Sequence, residues 1–379
     1  MSPAHPFVPL LIFALLLVPV PAAPVQARDI CSAPAPVCDG RARVFALSSA
    51  FDPYASAVRI GPDLLVTNRH AVADETKVEI GLPDGSRIAG TVVPTAFEGD
   101  LVLVRAALPR GPVFTPPAEP ARGQTLHTIG QDIARRRIRV FPAGRVIKWP
   151  AAGKPLARIH HTAYTQPGVS GGALVNEKGV LIGIATSGGA GRFEAIPAGR
   201  IAVLKAMSGP AHARRSAELG EAYRACITDV EKAQRMRDAL PAAVGERIRS
   251  NCERTGNRQL YDLAGQIFGK AREFDVALAF FRKSIAIDPN AVNARIGLVI
   301  TLTFARRSKE AVEHVRWLVD TVPESTQVQR FAVHVGKSAG DQELASRGLE
   351  LIRKYNPAQY EAAKRFLEAP PPAPRRQLR

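Results

Sequence analysis

The pattern of apolar residues changes near Ile201, and this change constrains the fold more than any other feature. From about residue 41 to 204, short apolar runs with β-branched residues are separated by Gly, Pro, Asp and Asn, which is typical of an all-β sandwich or barrel. Beyond Ile201 the sequence shows helical periods and hardly any strand pattern. We therefore expect a multidomain protein, with an all-β domain over residues 28–208 and an all-α region after it.

The helical part contains an internal repeat. Prolines recur every 34 residues, and an alanine stands twelve residues before each of them: Pro289, Pro323 and Pro357, with Ala277, Ala311 and Ala345. A two-helix unit of this length resembles the tetratricopeptide (TPR) repeat, in which a small residue lets the helices cross closely. The resemblance implies an all-α solenoid that recruits a protein partner.

The same resemblance divides the helical part into segments. Three TPR-like copies are expected at 258–291, 292–325 and 326–359, with a capping helix that brings the array to residue 368. Residues 209–257 are expected to form a helical hairpin linker. The Pro- and Arg-rich tail 369–379 cannot bury apolar surface and should be disordered.

The N-terminus resembles a signal peptide over residues 1–27. Its uncharged apolar run ends in the small-residue pattern Val25-Gln26-Ala27, although no Lys or Arg precedes it. An uncleaved anchor is the alternative, but four prolines interrupt the run. We expect a bacterial protein exported to the periplasm or secreted, with no stable membrane span after signal cleavage.

Four cysteines, an even number, favour disulfide bonds in an exported chain. Proximity along the sequence favours Cys31 with Cys38 and Cys226 with Cys252, although three pairings are possible. A zinc site is the competing idea, but no CxxC motif is present, and no metal is expected.

The chain has 51 basic and 34 acidic residues and a formal charge of +17. Such an excess could attract nucleic acid, anionic lipid, acidic protein or a cell-wall polymer. No nucleic-acid motif and no interleaved aromatic residues accompany the charge, so we expect a solvated basic surface and no specific nucleic-acid partner.

The stretch TQPGVSGGA, with Ser170 between glycines, suits a nucleophile on a tight turn. A serine hydroxyl needs a base and an orienting carboxylate to become reactive. His70 follows an apolar strand in LLVTNRHAV, and Asp100 precedes one in EGDLVLV. Asp74 and Asp84 compete for the carboxylate role, but both lie in polar turn contexts.

The ordered set TNRHAV, GDLVLV and GVSGGALVNEKGVLIGI resembles the trypsin-like serine endopeptidases, most closely the HtrA/Deg branch. The resemblance covers residues 41 to 205 and implies two six-stranded antiparallel barrels. It also implies His70, Asp100 and Ser170 as a catalytic triad, and the N–H groups of Gly168 and Ser170 as an oxyanion hole. Protein or peptide substrates follow, and no cofactor is needed.

Departures from the family pattern bear on specificity and activation. Val169 replaces the aspartate that pairs with a new N-terminus in digestive enzymes, and Tyr164 replaces an acidic pocket floor. With Ala185, Thr186 and Ser187, Tyr164 would line a pocket for small or apolar side chains. The alternative to an active endopeptidase is a silent trypsin-like fold that serves as a TPR-based binding scaffold.

Overall fold

A computed structural model describes residues 31–114, 124–236 and 239–370. Contacts divide the chain into a short unit, Met1–Ser32, and a second unit, Ala33–Arg379, which contains every helix and strand given below. The expected signal peptide, and all but the first two residues of the expected tail, lie outside the described residues. In the described part of the chain, no helix is long and apolar enough to cross a membrane.

The first barrel closes with six antiparallel strands. After helix α1 (Ala35–Asp39) the strands are β1 (Val44–Ser48), β2 (Ala55–Arg59), β3 (Leu64–Thr67), β4 (Lys77–Gly81), β5 (Arg87–Val93) and β6 (Val102–Ala106). Their order is β1-β2-β3-β6-β5-β4, and β4 pairs back onto β1. Leu47, Leu65, Ile80 and Val104 fill the interior. Residues two apart on a strand share a face, so Val78 and Ile80 of β4 are both buried.

The second barrel has seven strands, of which six form a closed ring. They are β7 (Thr125–Asp132), β8 (Arg137–Val140), β9 (Gly144–Lys148), β10 (Ile159–His161), β11 (Ala173–Asn176), β12 (Leu181–Gly189) and β13 (Arg192–Pro197). The order is β11-β12-β13-β10-β9-β7-β8, and the β11–β7 pairing closes the ring and leaves β8 outside it. Val58 and Leu103 of the first barrel and Ile129 and Ile184 of the second belong to one shared apolar cluster.

The rest of the chain is helical. The helices are α2 (Arg200–Ala206), α3 (Ala213–Arg235), α4 (Ala242–Arg254), α5 (Arg258–Lys270), α6 (Phe274–Ile287), α7 (Val292–Phe304), α8 (Ser308–Thr321), α9 (Thr326–Ala339), α10 (Gln342–Tyr355) and α11 (Tyr360–Glu368). A trypsin-like double β-barrel followed by a helical region is thus present, and the predicted fold class is confirmed.

Small residues let neighbouring helices approach closely in this region. A Cβ atom on Gly265 would lie 2.9 Å from the Phe281 ring, and one on Gly297 would lie 2.4 Å from it. The Phe281 ring therefore sits between α5 and α7. A Cβ on Gly336 of α9 would lie 2.5 Å from the backbone nitrogen of Ala345 in α10. The glycine at a position where the first two copies have large residues thus allows close contact of α9 and α10.

Disulfide bonds also hold parts of the chain. Cys226 of α3 and Cys252 of α4 are bonded across a sequence separation of 26 residues, and both side chains are buried. Cys31 and Cys38 are disulfide-bonded as well. The described residues contain no free cysteine. The Cys226–Cys252 bond ties α3 to α4, the two helices that precede the first repeat.

Candidate active site

Ser170 lies directly after a tight turn at residues 166–169. Pro167 and Gly168 occupy the centre of the turn, and the Val169 N–H donates to the Gln166 carbonyl at 3.1 Å. Gly168 has φ +91°, the positive value that a type II turn requires at its third residue. A Cβ there would be strained and would lie 2.8 Å from Ile133. The turn therefore requires glycine at this position.

Ser56 of the first barrel also holds the serine turn through hydrogen bonds. The Ser56 N–H of β2 donates to the Ser170 carbonyl at 2.7 Å, and the Ser56 hydroxyl donates to the Gly168 carbonyl at 2.8 Å. The Gln131 N–H donates in turn to the Ser56 hydroxyl oxygen at 2.8 Å. Ser56 was not predicted from the sequence, where its signal was a polar side chain between Ala55 and Ala57.

Gly168 and Ser170 carry the two backbone N–H groups that were predicted to form an oxyanion hole. Among the described residues, no group accepts a hydrogen bond from the N–H of Gly168 or of Ser170. Gly168 is buried and Ser170 is half-buried. Unpaired N–H groups at such a turn can stabilise a developing oxyanion.

His70 and Asp100 come together at the junction of the barrels. His70 lies on the short 3-10 helix Arg69–Ala71 that follows β3, and Asp100 lies just before β6. The His70 Nδ1 is 2.6 Å from Asp100 Oδ2, and the His70 N–H donates to Asp100 Oδ1 at 2.9 Å. The Asn68 side chain donates to the Asp100 carbonyl at 2.9 Å. The carboxylate thus fixes both the position and the tautomer of the ring, since it accepts the Nδ1 hydrogen.

The electrostatics of this pair favour an ionised carboxylate. Burial alone would lower the pKa of His70, but the adjacent Asp100 charge and hydrogen bond outweigh it and raise this pKa above its usual value. Burial alone would raise the pKa of Asp100, but His70 lowers it below its usual range. Asp100 therefore stabilises the imidazolium form of His70.

The Ser170 hydroxyl faces Thr186. Its Oγ donates to the Thr186 carbonyl at 3.2 Å. Within the described ranges, no hydrogen bond joins this hydroxyl to the His70 ring. Such a bond is commonly long in a site without substrate and shortens when substrate binds.

Thr186 contacts the Asp100 carboxylate. Its hydroxyl donates to Asp100 Oδ2 at 2.9 Å. The pairing of β12 with β13 aligns Ala185 with Ala195 and Ser187 with Glu194, so Thr186 is the extra residue of a β-bulge. A bulge redirects a side chain, and bulges are frequent beside active sites. The sequence analysis placed Thr186 in the pocket lining and missed this contact.

The other three pocket candidates lie in two different environments. Tyr164 is exposed, and its ring centroid lies 6.1 Å from Phe141 and 5.8 Å from Phe193. Ala185 is buried in a small cluster with Phe141 and Val169. The Ser187 hydroxyl instead donates to Glu194 Oε2 at 3.0 Å. An aromatic and apolar patch thus adjoins the serine turn.

Sequence comparison matches the family described as Trypsin-like peptidase domain to residues 55–184. This span carries His70, Asp100 and Ser170 and runs from the first barrel into the second. Residues 55–184 are thus similar to a trypsin-like peptidase domain.

A curated relative, the uncharacterized protein y4bJ of Sinorhizobium fredii, is 28% identical over 125 residues, which are 32% of this chain and 20% of that protein. The alignment thus spans about a fifth of the relative's length.

Solved structures with a similar chain include several proteases. The Rv3671c protease of M. tuberculosis in an inactive form is 21% identical, with a TM-score of 0.40, over 46% of this chain and 97% of that one. A serine endoprotease from Yersinia pestis is 22% identical, with a TM-score of 0.38, over 45% of this chain and 64% of that one. The HtrA-type protease AlgW with tripeptide is 26% identical, with a TM-score of 0.37, over 43% of this chain and 58% of that one.

Proposed function

We propose that the protein is an exported serine endopeptidase that hydrolyses peptide bonds through Ser170, His70 and Asp100. One observation carries the proposal: His70 and the buried Asp100 lie at the same barrel junction as a serine turn with two N–H groups that have no acceptor among the described residues. Protein or peptide substrates follow from this chemistry, and no cofactor is required.

The mechanism follows from the roles that these groups can take. Since Nδ1 of His70 donates to Asp100, Nε2 takes the Ser170 proton as the hydroxyl attacks the substrate carbonyl. The N–H groups of Gly168 and Ser170 stabilise the negative oxygen that forms. The His70 ring then gives its proton to the departing amine, and an acyl-enzyme remains. Water, deprotonated by His70, releases the acid and restores the serine.

Export is part of the proposal. The signal-peptide pattern of residues 1–27 and the disulfide-bonded cysteines both favour an oxidising compartment, periplasmic or extracellular.

The aromatic patch at Tyr164 favours apolar side chains over Lys or Arg at the cleavage site.

The helical pairs support the proposed TPR-like array. Helices α5, α7 and α9 begin at residues 258, 292 and 326, so they are spaced by the sequence repeat of 34, and each is followed by a second helix. We propose that these pairs recruit a protein partner or substrate, with residues 209–257 as the linker and α11 as the cap.

A fluorophosphonate probe tests the enzymatic part of the proposal. We expect the folded wild-type protein to be labelled and Ser170→Ala to lose the label, because the probe reacts with an activated serine. Ser338→Ala, at an exposed serine of α9, is the matched control and should label normally. Well-folded wild-type protein that takes no label would contradict the proposal and favour the silent scaffold.

A further inference from the structure

A group of charged side chains lies buried where the second barrel meets the helices. From the barrel it includes Arg158, His160 and Glu194, and from the helical region Arg258, Asp262 and Asp288. The side chains of all six are at most 12% exposed. A buried charge is costly unless it is paired and hydrogen-bonded, so each member depends on the others.

Arg258, the first residue of α5, connects the acidic members of this group. It forms an ion pair with Glu194 of β13 and a second one with Asp262 at 3.0 Å. Its Nε also lies 3.9 Å from Asp288, which follows α6. The helical region therefore supplies a cation to a strand of the barrel.

Asp288 supplies a negative charge to the barrel, whereas Arg258 supplies a positive one. Its Oδ2 lies 2.8 Å from His160 Nε2 and accepts the Arg158 N–H at 3.1 Å. Burial alone would raise the pKa of Asp288, but these partners and Arg258 lower it to about 2. The helices thus provide one cation and one anion to adjacent strands of the same barrel.

The contact continues toward the proposed catalytic residues through Glu194. Its Oε2 accepts hydrogen bonds from the Arg158 guanidinium at 3.1 Å and from the Ser187 hydroxyl at 3.0 Å. Ser187 is the ladder partner of Glu194 and directly follows the bulged Thr186. Thr186 in turn binds Asp100 and accepts the Ser170 hydroxyl. One short path therefore leads from α5 to the carboxylate and the serine.

The helical region also packs behind the His70 turn. The Arg69 guanidinium, which is buried, donates to the Ser216 carbonyl of α3 at 3.4 Å. A Cβ on Gly220 of α3 would lie 2.7 Å from the Ala73 carbonyl. Helices therefore contact both barrels directly behind the site, which a flexibly tethered recruitment module would not need to do.

We infer that Arg258, a residue of the helical region, is a positioning residue of the proposed protease: through Glu194 it holds Ser187 and the Thr186 bulge in place against Asp100 and Ser170. This inference rests on the proposed function. It makes the first helical pair a part of the active-site architecture, in addition to any role in recruiting partners.

Arg258→Met tests the inference in the full-length protein. We expect the fluorophosphonate to react about 10- to 100-fold more slowly, because a displaced Thr186 misplaces the reacting groups. The fraction of protein finally labelled should stay at the wild-type level. A purely structural role predicts the reverse, with a smaller labelled fraction and an unchanged rate for the folded part.

Two further variants sharpen the test. Arg295→Met removes another buried arginine, whose hydrogen bonds to His314 and to the Pro289 carbonyl stay within the helical region, and it should label at the wild-type rate. Arg258→Lys keeps the positive charge but loses the planar guanidinium group with its several N–H donors. Its labelling rate should therefore lie between those of wild type and Arg258→Met. Equal slowing in Arg295→Met and Arg258→Met would overturn the inference.

Hydrogen exchange provides a readout that does not require activity. In Arg258→Met, peptides that cover residues 181–197 should exchange about 10-fold faster than in Arg295→Met, because the strand pair loses a buried partner. Unchanged exchange in these peptides would overturn the inference even if labelling slows. If wild-type protein takes no label, the proposed function fails, while the exchange result still decides whether Arg258 holds the bulge.

Discussion

At the scale of single residues, the candidate site depends on a few short contacts between distant parts of the chain. Asp100 accepts hydrogen bonds from the His70 ring, the His70 N–H and the Thr186 hydroxyl. Its side chain is fully buried, so these donors replace the water that an exposed carboxylate would have. This carboxylate therefore positions the His70 ring and the bulged Thr186, whose carbonyl in turn accepts the Ser170 hydroxyl.

The raised pKa of His70 leads to a pH prediction. The proposed base must be neutral to accept the serine proton, so labelling of Ser170 should increase as pH rises through a midpoint above the usual histidine value. Asp100→Asn should shift this midpoint down, because the charge that raises the pKa is gone. It should also slow labelling by about 10⁴-fold, since the ring loses its orienting acceptor.

Labelling rates measured across a pH series in both proteins check this expectation. Asp84→Asn is the matched control, since Asp84 lies in an exposed turn and accepts hydrogen bonds from the N–H and hydroxyl of Ser86. A midpoint that stays the same in Asp100→Asn would show that another group controls the ionisation.

At the scale of helices and strands, the sequence predicted element types well and local irregularities poorly. The helical repeat was visible because proline and alanine recur at fixed positions in each two-helix unit. The bulge at Thr186 was not visible, because GVLIGIAT is an unbroken apolar run and a bulge appears only when the partner strand is known. The register of β12 is set by its pairing with β13, and the sequence of β12 alone gives no information about that pairing.

The Cys226–Cys252 disulfide allows a stability prediction for the α3–α4 hairpin. The double variant Cys226→Ala/Cys252→Ala should unfold about 3 kcal/mol more easily, because the bond limits the entropy of the unfolded chain over a separation of 26 residues. Guanidinium unfolding followed by helical circular dichroism measures the difference. An unchanged midpoint with an unchanged slope would show that packing alone holds the hairpin.

At the scale of the whole molecule, the sequence predicted two architectures but not how they join. The contexts of His70, Asp100 and Ser170 predicted a candidate site because each lies at a strand end or a glycine turn. Arg258 and Glu194 gave no such signal, since a charged residue at a helix start or in a strand is ordinarily solvated. Their pairing depends on the packing of α5 against β13, which no local pattern contains.

The central claim is that Ser170 is an activated nucleophile in the full-length protein. Mass spectrometry after reaction with a fluorophosphonate tests it most directly, by counting adducts and locating them in peptides. We expect one adduct per chain, on Ser170, and none in Ser170→Ala. An intact, folded protein without an adduct, or with its adduct on another serine, would contradict the account.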